Sequence, residues 1–290
     1  MSGRRRTYLR VPRSGRRAGR PRPTLARRGL RRLLSAGALA GLLSASLLLS
    51  APCGAEVVQR GGIRVGFEGS LSPKRLPRSG TAPVKVALGA RIAGVEGAPA
   101  PRLRRIEIAI NRYGVIDRDG LALCTMEQVQ PTTDADAMRA CGSSLVGRGR
   151  FSAQVGFSGQ TPFPAAGRLL AFNGTYHGHP AILAHVYGTR PVPTSYTFAF
   201  MIESTSGTYG TVLRATVPGA TGSAAYITGL SLDLERSYTA EGSRHSFLSA
   251  GCPAPKGFGG ATFPFARATF GFAGGATLSD IAERSCRARG

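Results

Sequence analysis

"ATFPFARATFGFAGGATLSDIAERSC", residues 261–286, alternates apolar with small or polar residues on either side of a Gly-Gly pair. Strict alternation sends successive side chains to opposite faces of a strand, so one face is apolar and the other is not. Gly274 and Gly275 supply the backbone freedom of a tight turn, and the segment reads as an antiparallel hairpin. Its phenylalanines change parity between Phe265 and Phe270, which predicts a bulge or a break in the first strand. Folding the hairpin returns Cys286 towards the segment that begins at Cys252.

The same pattern recurs upstream. Ile63, Val65 and Phe67 share a face, as do Val84, Val86 and Leu88, then Ile106, Ile108 and Ile110. Phe151, Val155 and Phe157 follow, and Leu230, Leu232 and Leu234 alternate with Ser231 and Asp233. Between them "RLLAFNGTY", "AILAHVYGT", "SYTFAFMIE" and "GTVLRATVP" are apolar, β-branched or aromatic runs punctuated by turn residues. "RSYTAEGSRHSFLSAG" predicts a hairpin turning near Glu241 and Gly242. One helix is expected at "TTDADAMRACGSS", with Thr132 or Thr133 as N-cap, Asp134 and Asp136 in the first turn and Gly142 as the stop. The expected fold is all-β, an antiparallel β-sandwich with one short helix. A closed β-barrel is the alternative, because alternation alone does not fix closure. Residues 56–290 are expected to form one domain, with a subdivision near 158–167 as the variant reading.

The chain changes character near residue 55. Thirteen arginines, no lysine and no acidic residue precede it; removing them from the 38 basic residues leaves 25 against 15 acidic ones, a net +10 in place of +23. Residues 1–32 mix Arg, Gly and Pro, a composition that buries too little apolar surface to fold. Residues 33–55, "LLSAGALAGLLSASLLLSAPCGA", are uncharged and end in small residues, the layout of a secretory signal cleaved after Ala55. Arg27 and Arg28 resemble the pair of a twin-arginine signal, with general secretion as the plainer route. An uncut segment is long enough to serve as a membrane anchor, and Cys53 is a weak lipidation candidate because Pro52 precedes it. In every case residues 56–290 lie outside the cytoplasmic membrane, secreted or in the cell envelope. The arginines are read as the inside flank of an export segment, so no nucleic-acid partner is expected.

Four cysteines, Cys124, Cys141, Cys252 and Cys286, remain in the exported part, an even number that fits an oxidising compartment. The expected disulfides are the sequence-local pairs, 124 with 141 and 252 with 286. No Cys-x-x-Cys spacing supports zinc or redox chemistry. Three of four histidines crowd "FNGTYHGHPAILAHVYG", residues 172–188. With a turn at "HGHP", His177 and His179 share a face, while His185 pairs near Phe172, roughly 20 Å from the tip at about 3.3 Å per residue. That geometry denies a metal site, since metal–nitrogen bonds are about 2 Å; completion by Asp117, Asp119 or His245 lacks support. Asp117 and Asp119 in "VIDRDGL" read as turn formers. No Gly-x-Ser-x-Gly elbow occurs, the Asn-Gly-Thr at Asn173 is discounted as an acceptor of sugar, and the absence of Trp weakens a sugar-binding surface. "GCPAPKGFGGATFPFA", residues 251–266, reads as a rigid loop held by Cys252, with a ligand groove as the other reading.

"GHPAILAHVYGT", "PVPTSYTF", "GTYGTVLRATVP", "YITGLSL" and "SAGCPAPKGF" together resemble a group of exported bacterial β-rich proteins. The resemblance covers most of residues 60–290 and implies a shared exported domain. It carries over no activity, cofactor or catalytic residue. The expected function is therefore non-enzymatic, a binding or structural role at the cell envelope or outside the cell. An exported hydrolase with scattered His, Asp and Glu, or an apolar-ligand carrier with a closed cavity, are the alternatives. Expected partners are anionic envelope polymers or a cell-surface protein. A membrane is met only through residues 33–55, if they stay uncut, and no cofactor is expected.

Overall fold

A computed structural model of the protein describes residues 56–99, 101–130, 133–156, 160–189, 193–217 and 224–289. The Arg-rich flank, the export segment, Thr132 and Phe157 lie outside these residues. The first strands are β1 (Glu56–Arg60), β2 (Ile63–Ser72), β3 (Arg75–Pro77), β4 (Ala82–Pro83), β5 (Lys85–Gly94), β6 (Leu103–Asn111) and β7 (Gly114–Ile116). Two helices follow, α1 (Met126–Val129) and α2 (Asp134–Cys141). Then come β8 (Leu145–Gly156), β9 (Phe163–Tyr176), β10 (His179–Gly188), β11 (Thr194–Ser204), β12 (Tyr209–Thr216) and β13 (Ala224–Leu234). The chain ends in β14 (Ser237–Ala240), β15 (Ser243–Ser246), β16 (Leu248–Ala250), β17 (Gly260–Phe272) and β18 (Thr277–Arg289).

The fold is all-β. Among the described residues, thirteen strands form one curled, open sheet in the order β1-β2-β5-β13-β8-β9-β10-β11-β12-β6-β17-β18-β3. β14 with β15, and β4 with β16 and β7, make two small sheets. The curl brings β18 to β2, where side chains take over from the ladder. Asp280 accepts a hydrogen bond from the Phe67 backbone N–H at 2.9 Å, and the Arg284 guanidinium donates to the Gly69 carbonyl. Inside the curl lie Val65, Phe67, Ile106, Ile182, Phe247 and Phe270, all buried.

The β17–β18 hairpin turns at Gly274 and Gly275, both at positive φ (84° and 83°), a conformation that glycine adopts at little cost. A register shift lies between Pro264 and Ala266. It is the physical answer to the parity change: Phe263 before it, Phe265 within it, and Phe270 and Phe272 after it are all buried on the core side. Within the range 158–167, Phe163–Gly167 of β9 pairs with β8.

β9, β10 and β11 are buried on both faces. Leu169, Ile182 and Ala184 face the inner core, whereas Leu170, Phe172 and Leu183 face a second core roofed by Val129, Ala137 and the Cys124–Cys141 bridge. Two-sided burial is why these strands read as continuous apolar runs and not as alternations. α2 starts as the sequence implied: Thr133 Oγ1 accepts from the Asp136 N–H at 3.2 Å, and Gly142 caps the end. The expectation of a single helix needs correcting, because α1 precedes it. With 4 residues it is too short to show a helical period, and it is held at its start by Gln128 Oε1 accepting from the Thr125 N–H at 2.8 Å. Cys124 pairs with Cys141 (Cα–Cα 5.6 Å) and Cys252 with Cys286 (5.8 Å). No helix among the described residues is long and apolar enough to cross a membrane.

Candidate functional site: an arginine-lined cleft

The histidine segment does not gather ligands. The β9–β10 turn is His177–Gly178, at φ 49° and 78°, two-residue geometry that needs positive φ at both positions. It lies upstream of the expected turn, so His185 pairs with Leu170 and not Phe172. His177 is a turn residue against the Tyr176 ring (4.0 Å between centroids), so it does not share a strand face with His179. Among the described residues, no three of His, Cys, Asp and Glu are grouped to hold a metal ion. Asn173 is fully buried; its side chain accepts from Arg118 Nε at 2.6 Å and donates to the Ala122 carbonyl at 3.1 Å, so it stabilises the loop over β9.

Asp117, Asp119 and His245 do meet, without the other histidines. His245 Nδ1 lies 3.0 Å from Asp117 Oδ2, and the Asp119 N–H donates to Asp117 Oδ1 at 3.1 Å. The Tyr238 ring stacks on His245 at 5.4 Å, so the pair fastens the β14–β15 hairpin to the 117–121 loop. Burial alone works to raise the Asp117 pKa, but the hydrogen bonds from His245 and the Asp119 amide outweigh it and hold the carboxyl below its ordinary range. Burial, with the Asp117 carboxylate beside it, pushes the Tyr238 phenol up to about 12. An Asp–His pair of this kind is able to move protons. No Ser, Thr or Cys side chain is hydrogen-bonded to His245 among the described residues.

The outer face of the main sheet carries a different constellation. One cross-strand row runs Glu68 (β2), Gly89 (β5), Ser231 (β13), Arg150 (β8), Arg168 (β9) and Tyr187 (β10), each residue directly opposite the next. Residues directly opposite share a face. Apart from Gly89, these residues, with Arg91 and Asp134, line an open cleft of about 850 Å³, within the 300–1,000 Å³ common for ligand sites. The cleft begins where the helical roof stops, so Asp134 at the start of α2 forms one wall. Glycines shape its floor. A Cβ at Gly149 would overlap the Ser231 carbonyl oxygen, and one at Gly167 that of Tyr187, so the strands approach there as no other residue allows.

Arg150 stands directly opposite Arg168, an arrangement of like charges that costs stability. Only Arg168 has a carboxylate: its Nε lies 2.6 Å from Asp134 Oδ2, out of line for a hydrogen bond. Arg91 and Arg150 make no ion pair or hydrogen bond among the described residues. Behind Asp134, His185 is fully buried, its Nε2 3.8 Å from Asp134 Oδ1 and its Nδ1 3.3 Å from Thr197 Oγ1. Burial lowers the His185 pKa, with the Asp134 charge opposing.

The sequence reading missed Arg91, Arg150 and Arg168. Their signal was the alternation itself: Arg150 occupies the solvent parity of β8 beside Gly149, but which arginine faces which depends on long-range register. Within the curl, two apolar voids of about 60 and 50 Å³ are each far smaller than a ligand pocket. No protein-family model matches the chain, and no curated protein or solved structure does either.

Proposed function

We propose that residues 56–290 form an exported, non-enzymatic binding module that holds an anionic envelope polymer in the arginine-lined cleft. The observation that carries this reading is Arg150, without a carboxylate partner among the described residues, placed directly opposite Arg168 on a glycine-cleared surface with Arg91 beside them. An anionic group between two guanidiniums turns their repulsion into a clamp, and Arg favours carboxylate and phosphate through its paired donors. The net +10 of this part adds long-range attraction that salt weakens. Two disulfides are consistent with export, because such bonds persist in oxidising compartments. The side-chain stitching of β18 to β2 by Asp280 and Arg284 favours a barrel-like reading of the curl over a sandwich.

Titration of the 56–290 chain with polygalacturonate and with neutral dextran tests the reading. The acidic polymer is expected to bind, and more tightly at low salt, while dextran leaves the protein unbound. Equal binding of both polymers, or none of either, contradicts the proposal.

A further inference from the structure

We infer that residues 251–259, with the paired strands β3 and β18, form a docking surface for an anionic lipid bilayer, and that Phe258 is the side chain that enters it. The arginine-lined cleft takes no part. Residues 72–83, 248–279 and 284–289 contain no Asp or Glu. They carry Lys74, Arg75, Lys256, Arg287 and Arg289, all exposed and none in an ion pair among the described residues.

Backbone pairing sets these cations side by side. β3 runs parallel to β18, with Arg75 opposite Arg287 and Pro77 opposite Arg289. The Arg287 N–H donates to the Lys74 carbonyl at 2.8 Å, and the Ala288 N–H donates to the Gly259 carbonyl at 2.9 Å. The end of β18 is therefore flanked by β3 and by the loop that carries Lys256 and Phe258. Like charges directly opposite in a sheet repel, and an anionic surface relieves that repulsion.

Phe258, at 64%, is the most exposed large apolar side chain among the described residues. Its position is braced. The Phe258 N–H donates to the Pro255 carbonyl at 3.1 Å, closing a turn with Gly257 at φ 90°, the positive φ that a type II turn needs at its third position. The Arg78 guanidinium donates to the carbonyls of Ala254 at 2.7 Å, of Phe258 at 2.8 Å and of Pro255, while Cys252 ties the loop to β18. A loop ordered beforehand loses little freedom on docking.

An acidic polymer or an acidic protein face accounts for the cations, but not for a ring that offers no polar group. Single-stranded nucleic acid takes aromatic side chains in series along a groove, whereas Phe258 stands alone at a turn. A bilayer interface takes both features: acidic headgroups attract Lys and Arg, and the acyl boundary beneath them accepts an aromatic ring. The protein thus meets a membrane at a place apart from residues 33–55.

The 56–290 chain holds every strand pairing and both cores described above, and the sequence has no tryptophan, so Phe258→Trp makes a single fluorescent reporter. Its emission is expected to move to shorter wavelength with vesicles of equal parts phosphatidylglycerol and phosphatidylcholine. With phosphatidylcholine alone, or with polygalacturonate, it is expected to stay as in buffer. Vesicle co-sedimentation supplies affinities. Phe258→Ala is expected to weaken binding to the acidic vesicles by about tenfold, the worth of burying much of the ring. Lys74→Ala and Lys256→Ala are each expected to weaken it by about fivefold, the worth of one cation at an anionic surface. All three side chains are exposed, so the fold should stand, and Phe258→Ala should leave polygalacturonate binding unchanged. Equal binding of the wild type and Phe258→Ala, or no emission shift, overturns the entry of the ring. An equal shift with polygalacturonate makes the patch a polymer site and overturns the lipid assignment, as does a failure to bind the acidic vesicles.

Discussion

Phe172→Ala is expected to destabilise the fold by about 3–5 kcal/mol, the cost of emptying a fully buried aromatic site that cannot collapse. Phe172 is 0% exposed and sits between Leu145 of β8 and Leu183 of β10, beneath the helical roof. Its ring meets the second core, with Val129 of α1 and Ala137 of α2 in the same cluster. The hole therefore opens where the helices dock, and denaturant unfolding should report the loss while hydrogen exchange rises in α1 and α2. Phe258→Ala is the control: that side chain is 64% exposed, and an exposed position of this kind changes stability by no more than about 0.5 kcal/mol. The loop fold at 258 rests on backbone, since Arg78 donates to the Phe258 carbonyl at 2.8 Å. A loss below about 1 kcal/mol for Phe172→Ala would mean that the helical roof does not pack as described.

The second large effect concerns Cys252–Cys286, which closes a separation of 34 residues, twice the 17 of Cys124–Cys141. Chain-entropy arithmetic assigns about 4 kcal/mol to the longer loop and about 3 kcal/mol to the shorter one. Replacing both Cys252 and Cys286 by alanine is thus expected to cost more than replacing Cys124 and Cys141, as measured by denaturant midpoints without reductant. The longer bond fastens the loop after β16 to β18, the strand whose Asp280 and Arg284 reach across to β2. Small domains hold about 5–15 kcal/mol in total, so full reduction should remove a large part of the stability. Indifference of the protein to reductant would contradict this account.

Local features were legible because local chemistry decides them. Glu241 and Gly242, at φ 49° and 73°, and the Gly274–Gly275 pair make the turns their residue types imply. The bulge at Pro264–Ala266 follows from a parity change that only an inserted residue reconciles with four buried phenylalanines. What escaped is non-local. β13 lies between β5 and β8, and β6 between β12 and β17, pairings that no neighbouring residue announces. Asp117 and His245 stand 128 positions apart and meet only because a hairpin folds over a loop. Asp134 reads in sequence as a first-turn acid; its contact with Arg168 and its place in the cleft depend on where the helix docks. The runs "LLAF" and "AILA" did carry a signal for the roof, because strands apolar on both faces need cover on both.

The cleft account stands most directly on Arg150, whose truncation should move two quantities in opposite directions. Removing one of two like charges directly opposite in a sheet should raise stability by about 0.2–1 kcal/mol. Removing half of an anion clamp should weaken polygalacturonate binding by about tenfold or more, the worth of a charged hydrogen bond. Measuring the denaturation midpoint and the polygalacturonate affinity of Arg150→Ala together therefore tests the central claim. A more stable protein that binds less tightly is the predicted result. Unchanged affinity, whatever happens to stability, would contradict the assignment of the cleft as the binding site.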